Sequence, residues 1–165
     1  MDVYADQLLE RLLSGGLWVR YLTNAFEQHS VGLHLAIFAE PYLSRTLRGE
    51  KTIESRFSQV RCAPFETVTD GDILLMKAVS GPICGLVVIK QAWFFDLTHR
   101  PLHQIRAHFG DGMCADDDFW ATKCDESFAS LFQLSDPIAI TPLPFQKRDR
   151  RGWITLRGRQ MTLPI

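Results

Sequence analysis

The first part of the chain carries apolar residues at intervals of three and four, which is the periodicity of helices. The stripe between residues 3 and 28 consists of Leu8, Leu9, Leu12, Leu13, Trp18, Tyr21, Leu22, Ala25 and Phe26. Gly15 and Gly16 interrupt it and favour two helices rather than one. Such a stripe packs on the core of its own domain, or else forms a surface for a partner protein or a second copy. Residues 1–30 are therefore predicted to form an N-terminal helical extension, with protein binding or self-association as the other interpretation.

From residue 33 onward the pattern changes to short apolar runs, which are typical of strands. The runs are LHLAIFA at 33–39, ILLMKAV at 73–79, ICGLVVIKQAWFF at 83–95, PIAITPLPF at 137–145 and WITLR at 153–157. Gly81 and Pro82 make a tight turn between the second and third runs, which predicts an antiparallel pair. Six residues with apolar neighbours at period two are expected to be largely buried, namely Ile53, Ile73, Leu75, Leu86, Val88 and Ile140.

Helical segments separate these strands. Pro41 begins the first helix, and Gly49 suits its C-terminal end. Two more helices are predicted over residues 101–109 and 116–123, and the three aspartates at 116–118 are expected to cap the second of them. Strands before and after a helical middle predict an α+β fold, a small barrel with flanking helices over residues 31–165.

The stretch GEKTIESRFS, residues 49–58, concentrates charge immediately after the first helix. In an extended strand Thr52, Glu54 and Arg56 share one face, and Ile53 and Phe57 point to the other. Lys51 has the wrong parity to join Glu54 unless the strand begins or bulges there, which the preceding glycine permits. The charged face is therefore either a solvated edge or the wall of a polar pocket.

Composition limits what this pocket can be. The chain has 165 residues and a formal net charge of −1, so one domain is expected and any nucleic-acid contact must come from a local patch. Cys62, Cys84, Cys114 and Cys124 lack paired spacing, which argues against zinc and disulfides and favours the cytoplasm. We expect no secretory signal and no membrane-spanning segment, because no apolar stretch approaches the ~20 residues that a bilayer requires.

Residues 40–56, EPYLSRTLRGEKTIESR, resemble the opening of an ASCH domain (activating signal cointegrator homology), whose hallmark is a helix followed by G-x-K-x-x-E-x-R. All four positions of the motif are filled, by Gly49, Lys51, Glu54 and Arg56. The glycine–aspartate turn at 71–72, the strand pair and the later helix also fall where the family has them. The resemblance extends from about residue 33 to 140. It implies a PUA-like β-barrel with a cleft suited to RNA or a modified nucleotide, with Lys51 and Arg56 among the binding residues.

The resemblance also implies an enzymatic alternative. Some ASCH-like proteins resemble ribonucleases, and a compact bacterial branch hydrolyses the acetyl amide of N4-acetylcytidine. In that branch a lysine, a threonine three residues later and a downstream glutamate are the proposed catalytic groups. The lysine falls on Lys51, the threonine position is occupied by Glu54, and the downstream acid falls near Asp111.

Glu54 in the threonine position changes the expected chemistry. A lysine acts as a base or nucleophile only after losing its proton, and a nearby carboxylate opposes that loss. Arg56 shares a strand face with Glu54 and pairs well with carboxylates. We therefore predict that Glu54 pairs with Arg56, that Lys51 stays a cation, and that the site binds rather than cleaves. Hydrolysis by Lys51 with Glu54 or Asp111 is the alternative.

The densest basic run of the chain begins at Lys147 and includes Arg148, Arg150 and Arg151, followed by Trp153. Arginines beside an aromatic suit single-stranded RNA, with phosphates on the arginines and a base stacked on the indole. The other interpretation is a charged surface hairpin with Trp153 packed inward. No metal or other cofactor is expected, because His103 and His108 lie about 140° apart around a helix and cannot face one ion.

Overall fold

The computed structural model describes residues 31–146 and 150–159. Within these residues it has six strands, β1 Leu33–Phe38, β2 Ile53–Ser58, β3 Ile73–Ala78, β4 Ile83–Asp96, β5 Phe128–Leu143 and β6 Trp153–Arg157. It also has three helices, α1 Tyr42–Leu47, α2 Leu102–Met113 and α3 Asp117–Ala121. The predicted N-terminal helices fall outside the described residues.

All six strands belong to one sheet, in the order β2-β5-β4-β3-β1-β6. β1 and β3 are parallel, and every other neighbouring pair is antiparallel, including the predicted β3–β4 pair. The ladder between β4 and β5 shifts register at three places. Such irregularities bend and twist long strands. The sheet therefore curls into a half-barrel, which agrees with the predicted barrel at the level of a curved β-sheet with few helices.

Hydrophobic residues pack on both faces of the curled sheet. The inner face carries a cluster that includes Phe38, Phe132 and Trp153, and α2 and α3 cover part of the outer face through Ile105 and Trp120. A third cluster contains Leu33, Leu35, Ile73, Leu75, Ile83 and Leu86. A strand buried on both faces explains why β3 is apolar along most of its length.

Four of the six residues expected in the core are buried, namely Ile53, Ile73, Leu75 and Leu86. Val88 and Ile140 are only partly buried. Val88 follows a register shift that begins at Leu86, and its neighbours Val87 and Ile89 are the fully buried residues there. A period-two pattern cannot be extended through such a shift.

The helices begin and end at turn and capping residues that the sequence largely predicts. α1 follows Pro41 as predicted, and Gly49 adopts a left-handed backbone with φ +76° just beyond its end. α3 is capped as predicted, since the Asp116 carboxylate accepts a hydrogen bond from the Phe119 backbone N–H. α2 continues to Met113, four residues beyond the predicted end.

The longest difference from the predicted strands concerns β5. The prediction begins this strand at Pro137, whereas it begins at Phe128 and pairs with β4 and β2 along its first half. Asp136 has a left-handed backbone directly before Pro137, so the sequence there carries a turn signal. The strand continues through it because ladder pairing on both sides of this point holds the backbone in the sheet.

Candidate functional site

The segment between α1 and β2 brings Lys51 to the same side of the sheet as Glu54. Beyond Gly49 the chain turns, and the backbone N–H groups of Glu50 and Lys51 both donate to the carbonyl oxygen of Arg45. β2 begins only at Ile53, so Lys51 lies before the strand and is free of its alternation. This is the irregularity that the pocket interpretation of GEKTIESRFS requires.

Glu54 is a buried carboxylate shared by two cations. Its side chain is 6% exposed, and its Oε2 lies 2.5 Å from the Nζ of Lys51. Its Oε1 accepts a hydrogen bond from the Nε of Arg56 at 2.8 Å. The predicted Glu54–Arg56 pair is therefore present, but Arg56 does not take the carboxylate for itself, because Lys51 occupies the other oxygen. Lys51, Glu54 and Arg56 thus form a cluster of three charges whose net charge is positive.

The environment of Glu54 keeps its carboxylate ionised. Burial raises the pKa of Glu54, but the charges and hydrogen bonds of Lys51 and Arg56 outweigh burial and hold the pKa below its ordinary value. A carboxylate with a lowered pKa, and with both oxygens already accepting charged hydrogen bonds, is a weak general base. The arrangement suits holding two cations in place better than it suits proton abstraction.

Arg56 connects the two edge strands of the sheet. Besides pairing with Glu54, its guanidinium donates to the carbonyl oxygens of Ile37 at 2.7 Å and Gly152 at 3.3 Å. It also lies over the rings of Phe38 and Trp153, at 5.6 and 5.7 Å from their centroids. β2 and β6 are the first and last strands in the sheet order, so Arg56 spans the open side of the half-barrel.

A cavity of about 290 Å³ opens beside these charges. Its lining residues are Ile37, Phe38, Ala39, Tyr42, Lys51, Glu54, Ser55, Arg56, Phe57, Met113, Phe119 and Lys123. Lys51 lies 6.0 Å from the centroid of the Tyr42 ring, and Tyr42 packs edge-on against Phe119. Burial and the charge of Asp116 raise the pKa of Tyr42, so its hydroxyl remains protonated. The cavity thus combines aromatic walls with cationic and hydroxyl donors.

The donors beside the cavity are not all used within the described part of the chain. A lysine ammonium has three N–H groups, and Lys51 donates two of them, to Glu54 and to the carbonyl oxygen of Ile53 at 2.6 Å. A guanidinium has five, and Arg56 donates three of them within the described residues. The remaining N–H groups favour a ligand rich in hydrogen-bond acceptors, such as carbonyl or phosphate oxygens.

A second buried polar pair, His34 and Asp72, lies between β1 and the turn before β3. The Nε2 of His34 lies 2.9 Å from the carboxylate of Asp72, which also accepts from the backbone N–H groups of Gly32 and Thr69. Burial raises the pKa of Asp72, but its hydrogen bonds outweigh burial and leave the pKa lowered. The indole N–H of Trp153 lies 3.4 Å from the other ring nitrogen of His34. The glycine–aspartate turn therefore has a structural role, which is to anchor the strand that carries His34.

Asp111 does not line the cavity. Gly112, the next residue, faces β2 so closely that a side chain there would collide with Ile53, and its carbonyl oxygen accepts from the Thr52 N–H. Successive helical residues are about 100° apart around the axis, so Asp111 points elsewhere and is exposed. Asp111 is therefore not among the residues that line the cavity with Lys51.

The basic run and Trp153 take different positions. Trp153 is 3% exposed and packs against Phe132 and His34, so its indole is not a surface platform for stacking bases. The inward alternative for this residue is the observed one, because β6 turns it toward the inner core. Arg150 and Arg151 are exposed, and Arg148 lies outside the described residues. Any contact with RNA by this run would therefore involve phosphates rather than stacking on Trp153.

The sequence did not predict that Phe38, Tyr42, Phe119 and Lys123 line the cavity. Phe38 and Tyr42 read as ordinary core positions of a strand and a helix. Lys123 and Phe119 belong to a segment far along the chain, and nothing in their spacing points to Glu54. Only the packing of α3 beside β2, through contacts between Phe57 and Phe119, brings them to the cavity.

The structure gives two further findings about sites and segments. Within residues 31–146 and 150–159, no group of three or more histidine, cysteine, aspartate or glutamate side chains could hold a metal ion. In the same part of the chain, no helix is long and apolar enough to cross a membrane.

Comparison with known proteins supports the fold. The sequence matches no family model and no curated protein. The fold resembles the crystal structure of ASCH from Zymomonas mobilis, with a TM-score of 0.61 and 12% identity over 76% of this chain and 87% of that chain. A serine-to-alanine mutant of that protein gives a TM-score of 0.61 and 13% identity over 78% and 90% of the two chains. A tyrosine-to-phenylalanine mutant gives 0.61 and 14% over 76% and 90%.

These similarities, together with the curled sheet, show that the chain has an ASCH-like fold. Of the residues that carried the resemblance in the sequence, Lys51, Glu54 and Arg56 line the cavity.

Proposed function

We propose that this protein binds RNA or a modified nucleotide in the cavity beside Lys51, Glu54 and Arg56. The observation that carries the proposal is the buried carboxylate of Glu54, which holds Lys51 and Arg56 in fixed positions, while N–H groups of both are unused within the described residues. Fixed donors in a partly enclosed, aromatic site favour a flat ligand with carbonyl or phosphate acceptors. Bases of RNA meet this description.

Binding fits the site better than cleavage does. Both oxygens of Glu54 already accept charged hydrogen bonds, which makes its carboxylate a weak base, and Asp111 is not among the residues that line the cavity. The resemblance to solved ASCH structures supports an RNA-binding PUA-like domain through the fold alone. The exposed Arg150 and Arg151 would add phosphate contacts outside the cavity.

Hydrolysis is the second candidate, because Lys51 lines the cavity and can therefore contact a bound substrate. The enzyme would be an N4-acetylcytidine amidohydrolase or a ribonuclease. Incubation of the purified protein with N4-acetylcytidine, and separately with single-stranded RNA without added metal, tests this alternative. Product that forms with the wild type and disappears with Lys51→Ala would establish hydrolysis and replace the binding proposal.

Isothermal titration calorimetry of the full chain with UMP and with a short single-stranded RNA tests the binding proposal. Lys51→Ala is expected to weaken binding of both ligands about tenfold, the effect of losing one charge-assisted hydrogen bond. Lys90→Ala is the matched control, because Lys90 is an exposed lysine of β4 that does not line the cavity. Thermal unfolding by circular dichroism checks that Lys51→Ala is folded. Equal affinities of the two variants would refute the proposal.

A further inference from the structure

Lys123 also lines the cavity, but it takes no part in the ion pairs of Glu54 with Lys51 and Arg56. Its Nζ lies 5.0 Å from the centroid of the Phe119 ring and 5.6 Å from that of Phe57. Within the described residues its amine has no ion pair and no hydrogen bond. Lys51 shares a carboxylate with Arg56, whereas Lys123 is a half-buried cation with no anionic partner in the part of the chain that the structure describes.

Two aspartates of the run at 116–118 are already engaged elsewhere. Asp116 uses its carboxylate to cap α3 through the Phe119 N–H, and Asp117 pairs with Arg106. The rings beneath Lys123 stabilise its charge through the cation–π interaction without neutralising it. A cation in this position favours an anionic group on any ligand that enters the cavity.

The two lysines lie beside two neighbouring aromatic rings of the cavity, Tyr42 and Phe119, which meet edge to face. Lys51 lies 6.0 Å from the Tyr42 ring, the Tyr42 and Phe119 ring centroids are 6.4 Å apart, and Lys123 lies over Phe119. A ligand that contacts both rings would therefore meet the donors of Lys51 near Tyr42 and the ammonium of Lys123 near Phe119. A nucleotide has acceptors on its base and an anion on its sugar, in that order.

Building on the proposed function, we infer that the cavity takes a single phosphate-bearing nucleotide, with the phosphate at Lys123 and the base beside Tyr42. A carbonyl group of the base faces the free N–H groups of Lys51 and Arg56. The volume of about 290 Å³ lies near the lower end of the range for small-ligand sites, which suits one nucleotide unit rather than two stacked ones. Uracil has carbonyl oxygens and adenine has none, so the site selects uridine nucleotides over adenosine nucleotides.

Titrations of the wild type, Lys123→Gln and Lys90→Gln with uridine, UMP, AMP and a short uridine-rich RNA test this assignment. The wild type is expected to bind UMP about fivefold to tenfold more tightly than uridine, the contribution of one partly exposed ion pair. Added salt reduces that ratio. AMP binds more weakly than UMP. Lys123→Gln removes most of the preference for UMP over uridine, and Lys90→Gln behaves as the wild type.

The outcomes separate this inference from the proposed function. Equal affinities for uridine and UMP, unchanged by Lys123→Gln, would overturn the phosphate assignment and leave the proposed function standing. Failure of uridine, UMP and RNA alike to bind would overturn both. Binding of RNA but not of free UMP, weakened by Lys123→Gln and not by Lys90→Gln, would support the phosphate site and identify a nucleotide within RNA as its source.

Discussion

The guanidinium of Arg56 lies 5.7 Å from the ring of Trp153, although the two residues belong to strands at opposite edges of the sheet. Arg56 also donates to the carbonyl oxygen of Gly152, directly before Trp153. Trp153 in turn contacts Phe132 and His34 in the inner core. The indole is therefore a packing surface for Arg56, and the position of the cavity donors depends on it.

Trp153→Ala is expected to lower the free energy of unfolding by about 3 to 5 kcal/mol, because it removes a large buried aromatic side chain. Trp153→Phe retains most of the packing and should cost less. Chemical denaturation at constant protein concentration measures both changes. If Trp153→Ala were as stable as the wild type, the indole would not support the inner core as described.

Glu54→Gln is expected to destabilise the fold by about 3 kcal/mol at neutral pH, because it leaves Lys51 and Arg56 without their buried counter-charge. Ser55→Ala, a change at a neighbouring cavity position without charge, is the control. Thermal unfolding monitored by circular dichroism gives the difference between the variants. A melting temperature of Glu54→Gln equal to that of the wild type would show that the ionic cluster adds nothing to stability.

The stabilisation that Glu54 provides is also expected to depend on pH. The pKa of Glu54 is lower in the folded state than in the unfolded chain, so its stabilisation is fully present above the unfolded value of about 4.3. It is lost as the pH falls through the folded pKa. The stability difference between wild type and Glu54→Gln should therefore be constant near neutral pH and shrink in acid. Asp72, whose pKa is also lowered, contributes equally in both proteins and cancels. A difference that grew in acid would contradict the assignment.

Leu75 and Leu86 face each other across the β3–β4 ladder and are both buried. Substitution of either by alanine should lower the free energy of unfolding by about 2 to 5 kcal/mol. Because the two contact the same cluster, the double variant should differ from the sum of the single ones. Val60→Ala is the control, since Val60 is 64% exposed. A well-tolerated double variant, measured by urea denaturation, would be incompatible with this core.

Substitutions in the basic run, which includes Arg150 and Arg151, test whether this run contacts RNA. Neutralising them together with Arg148 should weaken single-stranded RNA binding and flatten its salt dependence by about 0.7 log units for each lost phosphate contact. The effect should be nearly independent of sequence, since phosphates carry no base information. Fluorescence titrations at several salt concentrations measure the slope. An unchanged slope would assign the run to solvated surface.

The central part of the site was predictable because its residues are close in sequence. Gly49 ends α1, β2 begins at Ile53, and the spacing of Glu54 and Arg56 puts both on one strand face. Local rules of strand parity and helix termination suffice for these residues. Sequence spacing also predicted the Glu54–Arg56 pair, but not that Lys51 would share the same carboxylate.

The remaining parts depend on long-range packing. The position of Lys123 is set by contacts of α3 with β2, and Asp111 is turned away because Gly112 is the residue that approaches β2. The direction of Trp153 follows from the pairing of β6 with β1. No window of sequence around these residues contains that information, because the partner segments are distant along the chain.

The pairing of β2 with β5 also determines the order in which the site can form. Ile53 is paired with Gln133, so a long loop must close before β2 is held in the sheet. All residues that line the cavity precede β5 along the chain, the last of them being Lys123. The acceptor at Gly152 and the indole of Trp153, which hold Arg56, come later still. A growing chain that ends just beyond Lys123 therefore possesses every side chain of the cavity but lacks both β5 and β6, which hold β2 and Arg56 in place.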